Sequence, residues 1–132
     1  MIKKKTTIRS FGAYVPSKIL SNFDLEKMVD TSDEWITTRT GIRERRIASA
    51  EESPAFMGKE AALQALARAN VDPEDIDLII TSTMSPDHFC PSTSTIIQGA
   101  IGAKNAAAFD IAAACSGYIY GLSIASAYIE SG

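Results

Sequence analysis

The stretch from Ala106 to Leu122 joins a short apolar run, Ala107 to Ile111, directly to a long amphipathic one through Ala112, Ala113, Ala114, Cys115, Ser116 and Gly117. Five apolar-rich residues bounded by turn formers suit a buried strand, and the small residues after them let the chain turn sharply into a helix. Cys115 falls at that turn, in the first residues of the helix. Unpaired backbone N–H groups and the helix dipole favour an anion there, which lowers a thiol pKa. The alanines before it leave room for a substrate to approach. The residue types alone leave two readings open, a nucleophilic thiolate and a buried structural cysteine.

The rest of the chain supplies a parallel sheet for this unit. Thr7 to Tyr14 alternates weakly and ends at Val15-Pro16, which predicts a strand running into a turn. Asn22 can cap a short helix over Phe23 to Val29. Thr31-Ser-Asp-Glu34 has the form of a capping box, so a second helix is expected from about Ser32 to Thr38, stopped by Gly41. Ile42 to Ile47 reads as a loop or short exposed strand. Ser53-Pro54 starts a helix that continues to Asn70, with Phe56, Ala62, Leu66 and Ala69 on one face. A strand over Ile76 to Thr83, a helix over Thr93 to Ile101 ended by Gly102, and a strand over Ala107 to Ile111 follow. The last helix spans Cys115 to Ser131, with Tyr118, Leu122, Ala125 and Ile129 facing inward. Strands that alternate with helices imply parallel pairing with crossover connections, an α/β layered fold carrying a helical insertion at about 22–50.

A formal net charge of −3 argues against nucleic acid as the partner, because phosphate binding needs a basic face. No apolar run approaches the ~20 residues of a membrane span, and the lysine-rich start lacks the apolar core of a signal peptide, so a cytoplasmic protein is expected. Two cysteines, Cys90 and Cys115, are too few for a disulfide framework and too widely spaced for a paired zinc motif.

Three stretches carry a resemblance to a known family: Asp24 to Arg46, with its Thr-Ser-Asp-Glu-Trp and Arg-Thr-Gly-Ile-Arg-Glu-Arg segments; Cys90-Pro-Ser; and Phe109-Asp-Ile-Ala-Ala-Ala-Cys115-Ser-Gly. Together they resemble β-ketoacyl-acyl-carrier-protein synthase III, a family of thiolase-fold condensing enzymes that start bacterial fatty-acid synthesis. The resemblance runs over essentially all of this chain but somewhat less than half of the family's usual length. It therefore implies the N-terminal half of a thiolase-like α/β fold, with the C-terminal half absent.

The resemblance implies a two-step reaction. An acyl-CoA primer acylates Cys115, and malonyl-acyl-carrier protein then loses carbon dioxide and attacks the thioester. No metal or prosthetic cofactor is implied, since the CoA thioester is itself the activated substrate. The backbone N–H of Cys115 would form half of the oxyanion hole. Trp35 and Arg39, four apart on one helical turn, would hold the adenine of CoA between indole and guanidinium planes, with Thr31 near the same nucleotide. Cys90 stands where the family places a residue that reaches across a homodimer and closes the acyl pocket. A cysteine there implies a roomier pocket than a bulky aromatic would, unless neighbouring Phe89 refills the space.

Each of these residues also has a plainer role available. Trp35 suits a helix core, Arg39 a solvated surface, and Thr31 the cap of its helix. Arg43, Arg45 and Arg46 could attract phosphates or an acidic carrier, or simply lie on an exposed loop balanced by Glu44 and Glu51. His88, the single histidine, is not expected to be the base for Cys115, because the family's catalytic histidine and asparagine come from beyond residue 132. The isolated chain is accordingly expected to lack condensation activity, to acylate Cys115 slowly at most, and to expose apolar surface. Two other readings remain: a non-catalytic CoA-binding or dimerisation module, and a related acyl-CoA condensing enzyme of polyketide or hydroxymethylglutaryl type.

Overall fold

A computed structural model describes residues 5–132. The chain divides into two units, one formed by Val15–Ser53 and the other by Pro54–Gly132 with the described residues up to Tyr14.

In the smaller unit, strands β1 (Lys18–Ser21) and β2 (Glu44–Ile47) pair antiparallel, Lys18 opposite Ile47 and Ser21 opposite Glu44. They enclose helices α1 (Asn22–Glu26) and α2 (Asp33–Thr40). The insertion is thus closed by a strand pair rather than being helical throughout. Ser21, not Asn22, caps α1: its hydroxyl accepts the Asp24 N–H while the Asp24 carboxylate accepts the Ser21 N–H. Donors from the Ser21 hydroxyl, then the Ser21 N–H and Lys27, hold the Asp24 carboxyl at about 2. Asn22 is displaced from the cap because it is fully buried at the first helical position, where its amide has other partners.

The larger unit stacks helices α3 (Pro54–Ala69) and α4 (Thr93–Ile101) and helix α5 (Gly117–Ser131) with a two-stranded parallel sheet, β3 (Leu78–Ser82) and β4 (Ala107–Ile111). Leu78 lies opposite Ala107 and Ser82 opposite Ile111. A parallel pair needs a crossover, and α4 supplies it. The core lies where α3 and α4 meet the sheet: Ala55, Ile97, Ile101, Ala103 and Ala106, with Leu66, Ile79 and Ile96 against them. Ile97 is only 4% exposed, and truncating such a residue to alanine costs about 2–5 kcal/mol.

The strand expected over Thr7 to Tyr14 does not form. Among the described residues this segment pairs with no strand and lies instead along α3. Its backbone groups are taken by α3 side chains: Arg68 donates to the Phe11 carbonyl at 2.7 Å and the Ala13 N–H donates to Gln64 Oε1 at 3.0 Å. Gly12 permits the approach, since a Cβ there would lie 2.8 Å from the Ala65 nitrogen.

Candidate active site

β4 ends at Ile111, and Ala114–Ser116 form a 3₁₀ turn before α5 begins at Gly117. Cys115 therefore lies just ahead of the helix rather than in its first residues. The cause is local. Ala114 takes φ +44°, a left-handed conformation that cannot continue an α-helix and that a Cβ makes costly by about 1–2 kcal/mol. The turn closes through the Ser116 N–H on the Ala113 carbonyl at 3.1 Å and the Gly117 N–H on the Ala114 carbonyl. Cys115 is exposed and unpaired in any disulfide. Gly117 is buried against Ser82 of β3, where a Cβ would fall within the Ser82 hydroxyl and 2.8 Å from its Cβ. A strained residue on one side and an obligatory small one on the other thus set the place of the thiol.

The strand leading into this turn is tied to α4 by Asp110. Its two carboxylate oxygens accept the N–H groups of Thr93 and Ser94, each at 2.8 Å. Ser92 Oγ takes the Thr95 N–H and the Ser92 carbonyl that of Ile96, so the first four donors of α4 are all satisfied. Buried Ser94 completes the joint, donating to the Phe109 carbonyl at 2.7 Å and accepting from the Thr81 N–H at 3.0 Å. Burial pushes the Asp110 carboxyl up, but the hydrogen bonds from Ser94 and Thr93 outweigh it and hold the group below its ordinary range. Sequence reasoning missed Asp110 and Ser94 as structural residues. A lone acid inside an apolar strand, five residues before the cysteine, marks Asp110 as unusual but does not name its partners.

The loop bearing Phe89 and Cys90 runs between two anchors. Asp87 accepts the Ala55 N–H at the start of α3 at 3.1 Å, and Ser92 begins α4. Phe89 is 100% exposed, so within this chain it fills no space beside Cys90, which is also exposed. His88 is exposed on the same loop.

On the smaller unit, Trp35 and Arg39 share one turn of α2, and Trp35 is 54% exposed rather than buried in the helix core. The guanidinium carbon of Arg39 stands 5.0 Å from the centroid of the indole, a cation–π contact. A ring sandwiched between them would need about 7 Å, two stacking separations of about 3.5 Å, so Arg39 has to swing aside before a base can enter. Thr31 is half-buried and is not the cap; Ser32 is, with its hydroxyl accepting the Trp35 N–H at 3.1 Å. Two of the three clustered arginines are committed within the smaller unit: Arg45 donates to the Leu20 carbonyl and Asn22 Oδ1, and Arg46 to the Pro16 carbonyl.

On α5, Tyr118, Leu122 and Ile129 do not reach a closed core. With Leu78 and Ile80 of β3 they line an open groove of about 1030 Å³. No helix among the described residues is long and apolar enough to cross a membrane.

A parallel α/β layer that presents a cysteine on a strained strand-to-helix turn is the N-terminal layer of the thiolase-like fold, and solved structures match it closely. The chain superposes on 3-oxoacyl-(acyl-carrier-protein) synthase III from Aquifex aeolicus with a TM-score of 0.92 and 55% identity, covering 98% of this chain and 41% of that one. The priming β-ketosynthase of the R1128 polyketide pathway gives a TM-score of 0.93 at 41% identity, covering 100% and 40%. The family profile for 3-oxoacyl-(acyl-carrier-protein) synthase III matches residues 109–132, the segment that contains Cys115. A β-ketoacyl-(acyl-carrier-protein) synthase III of Caldanaerobacter subterraneus is 60% identical over 121 residues, 92% of this chain and 37% of the relative. One from Campylobacter jejuni is 58% identical over 129 residues, 97% and 40%. The chain belongs to the β-ketoacyl-acyl-carrier-protein synthase III family, and it spans about two-fifths of the length of these relatives.

Proposed function

We propose that this chain is the nucleophile-bearing part of an enzyme that starts fatty-acid synthesis by condensing an acyl-CoA primer with malonyl-acyl-carrier protein. The observation that carries the reading is the placement of Cys115, exposed on a turn held by Ala114 and Gly117 immediately before α5. In the first step Cys115 Sγ, as thiolate, attacks the thioester carbonyl of the primer. The developing oxyanion is met by the Cys115 N–H, the bond to the CoA sulfur breaks, and CoA leaves as a thiolate that takes a proton from solvent. In the second, malonyl-acyl-carrier protein loses carbon dioxide and its carbanion attacks the acyl-cysteine, releasing a β-ketoacyl-carrier protein and regenerating the Cys115 thiolate. The residues that stabilise the carbanion belong to the part of the relatives' length that this chain does not span. The thioester supplies the activation, so the reaction calls for no metal or prosthetic group.

Trp35 takes the adenine of CoA on its exposed indole, with Arg39 moving off that face as the base arrives and Thr31 bordering the nucleotide. Cys90 and Phe89 border the acyl chain, and a homodimer closes that pocket. The assembled enzyme works in the cytoplasm.

The test is the intact mass of the chain after incubation with acetyl-CoA, alone and with Cys115→Ala. An acetyl adduct that disappears in the variant supports the assignment. An adduct that persists without Cys115 removes it as the nucleophile.

A further inference from the structure

Asn22 is fully buried, and both its side-chain nitrogen and its side-chain oxygen are hydrogen-bonded within the smaller unit. Its Nδ2 donates to Asp33 Oδ1 at 2.8 Å and to the Ile42 carbonyl at 2.8 Å, with Thr37 Oγ1 at 3.3 Å. Its Oδ1 accepts from Arg45 Nη2 at 2.8 Å, and its own N–H donates to the Arg43 carbonyl at 3.1 Å. Three of these partners bracket α2: Asp33 opens the helix, Thr37 lies in its middle and Ile42 follows the Gly41 stop. Beyond these contacts, α2 is held by Ile36, its only buried residue, and by the Glu26 carboxylate, which accepts the Asp33 N–H at 2.6 Å. An eight-residue helix without a broad apolar face takes its place from polar contacts.

We infer that Asn22 is the positioning residue of the nucleotide-binding helix, holding α2 so that Trp35 and Arg39 present one stacking surface. The inference rests on the proposal that this pair takes the adenine of CoA. Trp35 and Arg39 lie between the clamped residues, Trp35 two beyond Asp33 and Arg39 two beyond Thr37. Only a primary amide offers two donors and an acceptor in one plane, which is what Asp33, Ile42 and Arg45 require. An aspartate of the same shape keeps the acceptor for Arg45 but sets oxygen against the Asp33 carboxylate and the Ile42 carbonyl. That leaves buried acceptors facing each other without a proton. Arg45, a candidate phosphate-binding residue on charge alone, acts here as the outer brace of the same clamp.

Asn22→Asp tests this, with Asn22→Asp/Asp33→Asn as the variant that returns a donor between the two positions. Because Trp35 is the single tryptophan, its fluorescence reports on α2 alone, and CoA is titrated against it. In parallel, Cys115 acetylation is measured with an acetyl thioester of N-acetylcysteamine, which lacks the nucleotide. Expected is saturable quenching in the unsubstituted chain, a midpoint raised at least tenfold in Asn22→Asp, partial recovery in the double variant, and unchanged acetylation from the nucleotide-free thioester throughout. An unchanged midpoint in Asn22→Asp overturns the positioning role while leaving the nucleotide reading intact. Loss of both quenching and nucleotide-free acetylation overturns it as well, since the effect is then a general loss of fold. Absence of quenching in the unsubstituted chain removes the nucleotide reading itself, and the positioning role with it.

Discussion

Replacing Gly117 by alanine separates two expectations of opposite sign. Helix propensity alone favours the substitution by up to ~1 kcal/mol, because alanine loses less backbone entropy than glycine. The structure reverses this. The new Cβ would lie 2.8 Å from Ser82 Cβ, and the Ser82 hydroxyl would have to rotate away as well. Reaching an ordinary carbon–carbon separation of about 3.5 Å requires a shift of roughly 0.7 Å between the start of α5 and β3. Neither partner is a flexible chain end: Ser82 is held in a parallel ladder opposite Ile111, and Thr83 N–H donates to the Ile111 carbonyl at 3.2 Å. Overpacking of this kind costs about 1–3 kcal/mol, so Gly117→Ala is expected to destabilise the larger unit by about 1–2 kcal/mol net. Urea unfolding followed by circular dichroism measures the loss, and the rate of Cys115 labelling by a thiol reagent, read on its peptide by mass, follows the turn. Ser82→Gly removes the obstructing atoms, so the double variant should recover most of what Gly117→Ala loses beyond the cost of a strand glycine. A Gly117→Ala variant as stable as the original, or a double variant with no recovery, would refute the argument that close approach to Ser82 fixes the turn.

Asp110→Asn replaces one accepting oxygen with a donor facing the start of α4 and is expected to cost about 2 kcal/mol in urea unfolding. Because the folded Asp110 carboxyl sits below its ordinary range, its contribution is fully present above about pH 4 and is lost as pH falls through the lower folded value. The acid side of the pH–stability profile should therefore flatten in the variant, and an unchanged profile counts against the clamp. Arg39→Ala should expose Trp35 further, with acrylamide quenching its fluorescence more steeply; equal quenching means the 5.0 Å contact does not shield the ring in solution. Cys90→Phe in the assembled enzyme should narrow the accepted primers towards acetyl-CoA when turnover is compared across acetyl-, butyryl- and octanoyl-CoA. A sharp acetyl preference already present with Cys90 would sink the idea of a roomy pocket.

What could be read ahead of the structure was what neighbouring residues decide among themselves. Helix α4 runs from Thr93 to Ile101 as its signals indicate, because Ser92 caps it and Gly102 takes a left-handed φ of +81°. Strand β4 has its expected limits for the same reason: apolar residues bounded by small ones. Errors of one residue arose where two capping residues adjoin. Thr31 and Ser32 both suit a helix start, and only the Trp35 N–H reaching Ser32 settles which acts. The segment from Thr7 to Tyr14 was misread because alternation shows that a stretch is extended, not whether a strand or a helix receives its hydrogen bonds. Asn22 and Asp110 were beyond reach in a stricter sense. Their partners lie 11 to 23 and 16 to 17 residues away, and nothing local in the chain announces such pairings. The candidate nucleophile was legible because its turn is built from consecutive residues. The places of Trp35 and Arg39 on α2 were legible from their spacing, whereas the contact that closes one over the other was not.

The left-handed Ala114 bears on how this family could be engineered. Glycine at that position would relieve the backbone strain, so a screen that selects for heat resistance alone would tend to recover Ala114→Gly. The same change widens the range of conformations open to the residue beside the thiol. A library sorted on melting temperature would then enrich proteins that unfold later and hold Cys115 less firmly. Thermal selection on this scaffold therefore needs a second sieve for thiol reactivity, applied in the same round.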